Sequence, residues 1–133
     1  MITRASAIRQ LGEGDLFHAE HEAGPTRICV VTSVTETTVV ARSTTVQEII
    51  EFDRSTGVAV PPFYFVITSV AALPQDIHDT FLGLDRKYRE GKIRRAKEPG
   101  WVRPPAELAL TEDQSRAFEF AHYFYKANPL PVA

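Results

Sequence analysis

The sequence predicts an α+β fold: a small antiparallel five-stranded SH3-like barrel or bent sheet over about 14–70, followed by two helices over about 75–91 and 111–127. Three observations carry this. Apolar residues in the first half recur with period two, those in the second half with period three to four, and turn residues punctuate the first half at roughly ten-residue spacing. Five short strands in one open sheet would leave adhesive edges, so closure or strong bending is expected.

The elements follow in order. Gly14-Asp15 opens a strand through Leu16–His21, closed by the turn Gly24-Pro25. Ile28, Val30 and Val34 alternate with Cys29, Val31 and Ser33 in the next strand. Thr35-Glu36-Thr37 breaks the chain, and Thr38–Arg42 returns as the hairpin partner. Gln47–Phe52 is a fourth strand ending at Asp53-Arg54-Ser55-Thr56-Gly57, where Asp, Ser and Gly favour a tight turn. Phe63–Val70, after Pro61-Pro62, is a fifth, strongly apolar strand. Pro74 then suits a first helical turn, with Asp76 and Asp79 near the positive end of the helix dipole. Ile77, Phe81, Leu84 and Tyr88 form one apolar stripe, and Gly91 is expected to end or weaken this helix. The segment 96–106, with Pro99-Gly100 and Pro104-Pro105, cannot be regular. Thr111 and Gln114 make a capping box for the last helix, whose apolar face is Ala117, Phe118, Ala121, Phe124 and Tyr125. Asn128-Pro129 stops it, leaving Leu130–Ala133 as an extended tail.

The 133 residues correspond to one domain, 1–133, with a β part over 1–72 and a helical part over 73–133. With 44% apolar residues, the chain requires no disulfide or metal to be stable. Its one cysteine, Cys29, lies in Ile28-Cys29-Val30-Val31 and reads as a buried small hydrophobe, which fits a reducing compartment. The N-terminus shows no signal-peptide pattern, and no stretch approaches the ~18 apolar residues of a membrane helix. A soluble, cytoplasmic protein is expected.

Charge is unevenly spread. Residues 85–103 hold 8 of the 15 Lys+Arg and only 3 of the 17 Asp+Glu, giving +5 in a chain of net −2, so the rest carries −7. Such a split suggests an anionic partner. Arg86, Lys87, Arg89, Arg94 and Arg95 are close enough to gather at one side of a helix end, and Tyr88 and Trp101 offer flat faces on which a base could stack. A solvated face favoured by the helix dipole is the competing explanation. The acidic net charge disfavours a long nucleic acid, whereas a compact ligand with one to three phosphates needs only two or three arginines. Arg42 and Arg54 are expected at a barrel mouth, where a guanidinium grips phosphate bidentately, or else pairs with Glu36, Glu51 or Asp53. The candidate ligand-binding set is thus Arg42, Arg54, Arg86, Tyr88, Arg89, Arg94, Arg95 and Trp101.

Other chemistries find little support. On a strand, His18, Glu20 and Glu22 share a face while His21 points away, so no metal site is expected. His78 and His122 stand alone on helices. Gly12-Glu13-Gly14 starts like a dinucleotide fingerprint but has Phe17 in place of the third glycine and leads into a strand. No catalytic residues and no cofactor are expected. Phe120 and Tyr123 flank the apolar face of the last helix, and a homo-oligomer interface there is expected, with coverage by the sheet as the alternative.

The pattern Gly14-Asp15, paired Val/Thr strands over Val30–Val40 and Phe52-Asp53-Arg54-Ser55-Thr56-Gly57, followed by two helices, resembles short phage and prophage proteins. In element order it resembles the Thoeris anti-defence sponges of phages. That resemblance implies an oligomer that sequesters a cyclic ADP-ribose-like signal between subunits, and it carries over no individual site residue. The expectation is therefore a non-enzymatic protein sequestering a small phosphorylated nucleotide, cyclic ADP-ribose-like or a cyclic oligonucleotide. The alternatives are an SH3-like docking module for protein or nucleic acid, and a direct inhibitor of a host defence enzyme.

Overall fold

A computed structural model describes residues 2–97 and 109–133, with the side chains of 92–97 excepted. In chain order the elements are α1 (Arg4–Arg9), β1 (Leu16–His21), β2 (Thr26–Val34), β3 (Thr38–Ser43), β4 (Ile49–Asp53), β5 (Phe65–Ser69), α2 (Gln75–Lys97) and α3 (Glu112–Ala127). The five strands form one antiparallel sheet in the order β4-β3-β2-β1-β5. The result is an α+β fold in which a curled half-barrel precedes two C-terminal helices.

The curl follows from how the sheet edges are satisfied. Residues 57–60, between β4 and β5, bond to both edge strands at once. Val58 O accepts from Asp53 N and Val60 N donates to Glu51 O on the β4 side, at 2.8 Å each. On the β5 side, Gly57 O accepts from Ile67 N and Ala59 N donates to Phe65 O, at 2.9 Å each. Groups that would otherwise template foreign strands are thereby paired within the chain. Register irregularities between His18 and Ala19 and between Val31 and Ser33 bend β1 and β2 as extra residues in a ladder do.

Alternation along each strand divides the apolar residues into two cores. Phe17, Ala19, Cys29, Val31, Val39 and Phe52 belong to the interior core, where Phe17 and Phe52 meet edge to face at 5.2 Å. Leu16, Ile28 and Val30 point to the opposite face and meet Phe81, Leu84, Ala121 and Tyr125 of α2 and α3. Cys29 is fully buried, as its apolar setting implies.

Several boundaries differ from the sequence expectation. α1 was not expected: Thr3 caps it in a reciprocal box with Ser6, and Ile8, fully buried, plugs the interior core. Six residues are too few for a helical period to register. β4 begins at Ile49 because Gln47 adopts φ 64°, which no strand accommodates. α2 runs through Gly91 to Lys97 instead of stopping at the glycine. A lone glycine costs a helix only about 1 kcal/mol, and the surrounding Lys, Arg and Ala residues are good helix formers. The capping box of α3 is formed as expected, with Gln114 N donating to Thr111 Oγ1 and Thr111 N to Gln114 Oε1.

The C-terminal tail is docked onto the barrel. Leu130 N donates to Thr68 O at 2.8 Å, Ser69 Oγ donates to Asn128 O at 2.6 Å, and Arg4 N donates to Ala133 O at 3.1 Å. Among the described residues, no helix is long and apolar enough to cross a membrane.

Candidate anion site on helix α2

The structure sorts the candidate cations by what already holds them. Val39 and Ala41 fill the interior core, so Arg42 faces outward, toward α2. There its Nε and terminal nitrogen donate to the two carboxylate oxygens of Asp85 at 2.7 and 2.6 Å. Gln47 Nε2 adds a bond to Asp85 Oδ1 at 3.0 Å and another to Thr44 O at 2.8 Å. Burial pushes the Asp85 carboxyl up. The hydrogen bonds from Arg42 and Gln47 and the charges of Arg42 and Arg89 outweigh this and hold it below the usual carboxylate range. Arg42 is therefore a pin between β3 and α2, with one edge of its guanidinium given to the Asp85 carboxylate.

Arg54 is also engaged. It donates to Thr35 O at 2.6 Å and to Arg9 O at 3.2 Å, tying the β2–β3 turn to the C-terminal end of α1. That end carries the negative pole of the helix dipole, so the guanidinium is well placed there. Arg42 pairs across from Ile49 and Thr38 from Asp53, so Arg42 and Arg54 mark opposite ends of β3. They do not share a barrel mouth. The turn holding Arg54 is as tight as expected. Asp53 Oδ1 accepts from Ser55 Oγ, Ser55 N and Thr56 N, which holds its pKa down at about 2.

The remaining described candidates lie on α2. Arg86 is exposed and has no ion-pair partner among the described residues. Arg89 is 46% exposed and only loosely approaches Asp85, at 3.8 Å. Tyr88 is half-buried beside the outer core, with the Lys87 ammonium 6.0 Å from its ring centroid. Lys87 also donates to Ala109 O at 2.8 Å and to Gln114 Oε1 at 3.3 Å, joining α2 to the start of α3. Arg94 and Arg95 sit on the same helix, with side chains outside the described set, and Trp101 lies outside the described residues. From Arg86 to Lys97, α2 carries seven Lys+Arg and one acid, Glu90.

A concavity away from α2's basic half was not legible in the sequence. A groove of about 470 Å³ runs between β5, the C-terminal tail and α3, with His18, Glu20, Thr68 and Lys126 on its wall. His18 Nδ1 lies 2.7 Å from Thr68 Oγ1, and its ring stacks on Tyr125 at 5.4 Å. Burial lowers the His18 pKa, which favours the neutral imidazole at physiological pH. These groups come from elements about 50 and 100 residues apart in sequence, and no local pattern announces them.

The Tyr125 hydroxyl is buried without a hydrogen-bond partner among the described residues, and burial pushes its pKa up. An orphaned buried hydroxyl forfeits its bonds to water without replacement. Tyr125→Phe is therefore expected to leave stability unchanged or raise it by up to about 1 kcal/mol. Urea titration of both proteins checks this, and a loss beyond 1 kcal/mol would mean that the hydroxyl is bonded after all.

Comparison with protein-family models, with curated proteins and with solved structures finds no match to this chain. Its class rests on its own architecture, a curled antiparallel half-barrel pinned to two helices, the first of which bears the excess positive charge.

Proposed function

We propose that this protein is a non-enzymatic, cytoplasmic binding protein that captures a compact phosphorylated nucleotide on the basic half of α2. In keeping with the phage-type resemblance, the captured molecule is a cyclic ADP-ribose-like or cyclic-oligonucleotide signal, and the consequence of capture is sequestration. The observation that carries this reading is an excess of positive charge: Asp85 is bonded to Arg42 and only approached by Arg89 at 3.8 Å, while Arg86 and Arg89 stay exposed on the stretch Arg86–Lys97, whose one acid is Glu90. A guanidinium exposed in this way can turn to a phosphate without first breaking a buried pair. The net charge of −2 favours a small anion over a polynucleotide.

A second reading has its own support. The cations run along a helix, and Arg42 and Arg54 already serve the fold, so a docking module with α2 as its contact surface fits the same geometry.

Calorimetric titration with cyclic ADP-ribose isomers, cyclic oligonucleotides, and single- and double-stranded DNA at physiological salt separates the two. Binding of one of the small ligands is expected, with Arg86→Ala and Arg89→Ala each weakening it by roughly 10- to 100-fold, the value of a charge-assisted phosphate contact. Melting temperatures should hold, since both side chains are exposed. Failure of every small ligand to bind overturns the sequestration reading, and tight DNA binding at that salt replaces it with the docking module.

A further inference from the structure

The outer face of α3 is unlike the rest of the surface. Glu112, Arg116, Glu119, Tyr123 and Lys126 follow at spacings of four, three, four and three, which places them on one helical stripe with Phe120 beside it. The stripe lies opposite Ala117, Ala121 and Tyr125, which α3 buries against the sheet. It exposes 65% of Tyr123 and 43% of Phe120, and Phe120 stacks on Phe124 at 5.8 Å.

The charges on this stripe are ordered. Glu112 lies at its N-terminal end and Lys126 at its C-terminal end, with Arg116, Glu119 and the aromatic rings between. Arg116 is held in place by Glu112 and Asp113 of its own helix. Lys126 has no ion-pair partner among the described residues.

We infer that α3 is an isologous dimer interface and that its occupant is α3 of a second copy of this chain, antiparallel, with the two-fold axis near Glu119 and Phe120. A two-fold interface must be self-complementary, and the opposite charges at the two ends of the stripe are, with the two Glu119 carboxylates left as the like-charged pair nearest the axis. About that axis Phe120 meets Phe120 of the second copy. Arg116 lies over the Tyr123 ring of the second copy, already fixed in place by its own acids. Lys126 comes within one residue of the level of Glu112 of the second copy, on the same flank. The two helix dipoles run in opposite directions, which adds to the attraction. A parallel arrangement would instead oppose like charges at each end. Two 16-residue helices in contact over about 24 Å make less than a standard-sized interface, so a dissociation constant on the order of micromolar is expected. The face is distinct from the basic half of α2, and its test does not depend on any ligand.

Sedimentation equilibrium from about 1 to 200 micromolar tests the inference, with circular dichroism melting to confirm that each variant folds. Wild type should sediment as a dimer at the upper concentrations. Tyr123→Lys should remain monomeric throughout, because each new ammonium would be forced against the Arg116 guanidinium of the second copy. Glu112→Lys and Lys126→Glu should each weaken the dimer at least tenfold, and the double variant carrying both should recover most of the loss. Monomer mass for wild type at every concentration overturns the interface. So does a wild-type dimer that Tyr123→Lys leaves intact, or single charge reversals that the double variant does not rescue.

Discussion

Gly57→Ala should destabilise the protein by about 3 kcal/mol and lower its melting temperature by roughly 10 °C, a loss out of proportion to one methyl group. Two costs coincide at this residue. Its φ of 76° lies in the left-handed region, where a side chain costs roughly 1–2 kcal/mol. A Cβ placed there would also lie 2.9 Å from Ile8 Cδ1 and 3.2 Å from Ile67 Cβ. Neither neighbour yields easily: Ile8 plugs the interior core from α1, and Ile67 is a fully buried β5 residue. Gly57 O also accepts from Ile67 N, in the stretch that pairs with both sheet edges, so a backbone shift to relieve the clash would loosen the closure of the sheet. Gly24→Ala is the control. Gly24 has φ 111° but nothing among the described residues within 4 Å of its would-be Cβ, so only the backbone cost remains. Thermal melts of both variants measure the difference, and equal losses would mean that contact with Ile8 and Ile67 does not matter.

Asp85→Ala should cost a similar amount, about 3 kcal/mol, because it strands the Arg42 guanidinium and the Gln47 amide at a largely buried junction. The side chain of Asp85 is 7% exposed and that of Arg42 18%, so water reaches the vacated charge poorly. Replacing both partners together, Arg42→Met with Asp85→Leu, should cost much less than the single change, since no unpaired charge remains. The pH dependence has a definite sign. Asp85 holds its proton less tightly in the folded chain than in the unfolded one, so the unfolded state binds more protons as the solution is acidified. The pair's contribution is complete above the unfolded value near 4 and is lost as pH falls through the lower folded value. Urea midpoints measured from pH 6 down to pH 2.5 should therefore fall less steeply for Asp85→Asn than for wild type. Parallel curves would show that the carboxylate is not what binds β3 to α2.

What the sequence determined by itself was whatever depends on neighbours along the chain. The period-two runs placed five strands because alternation of side chains across a sheet is a local property of extended backbone. Thr111 with Gln114, and Asp53 with Ser55, Thr56 and Gly57, specified a helix start and a turn through bonds spanning three or four residues. The clustering of cations over 86–97 was likewise visible as composition. Tertiary structure alone decided what those cations do. Arg42 and Arg54 look equivalent in sequence, each near a strand end with an acid close by. Folding gives one to Asp85, 43 residues away, and the other to the carbonyls of Thr35 and Arg9. The meeting of His18 with Thr68 and Tyr125, the double pairing of residues 57–60 and the use of Ile8 as a plug are of the same kind. Each joins groups tens of residues apart, and which of them meet depends on how the whole sheet curls, since local sequence encodes dihedral preference and amphipathic face but not which distant carbonyl or carboxylate a side chain will find.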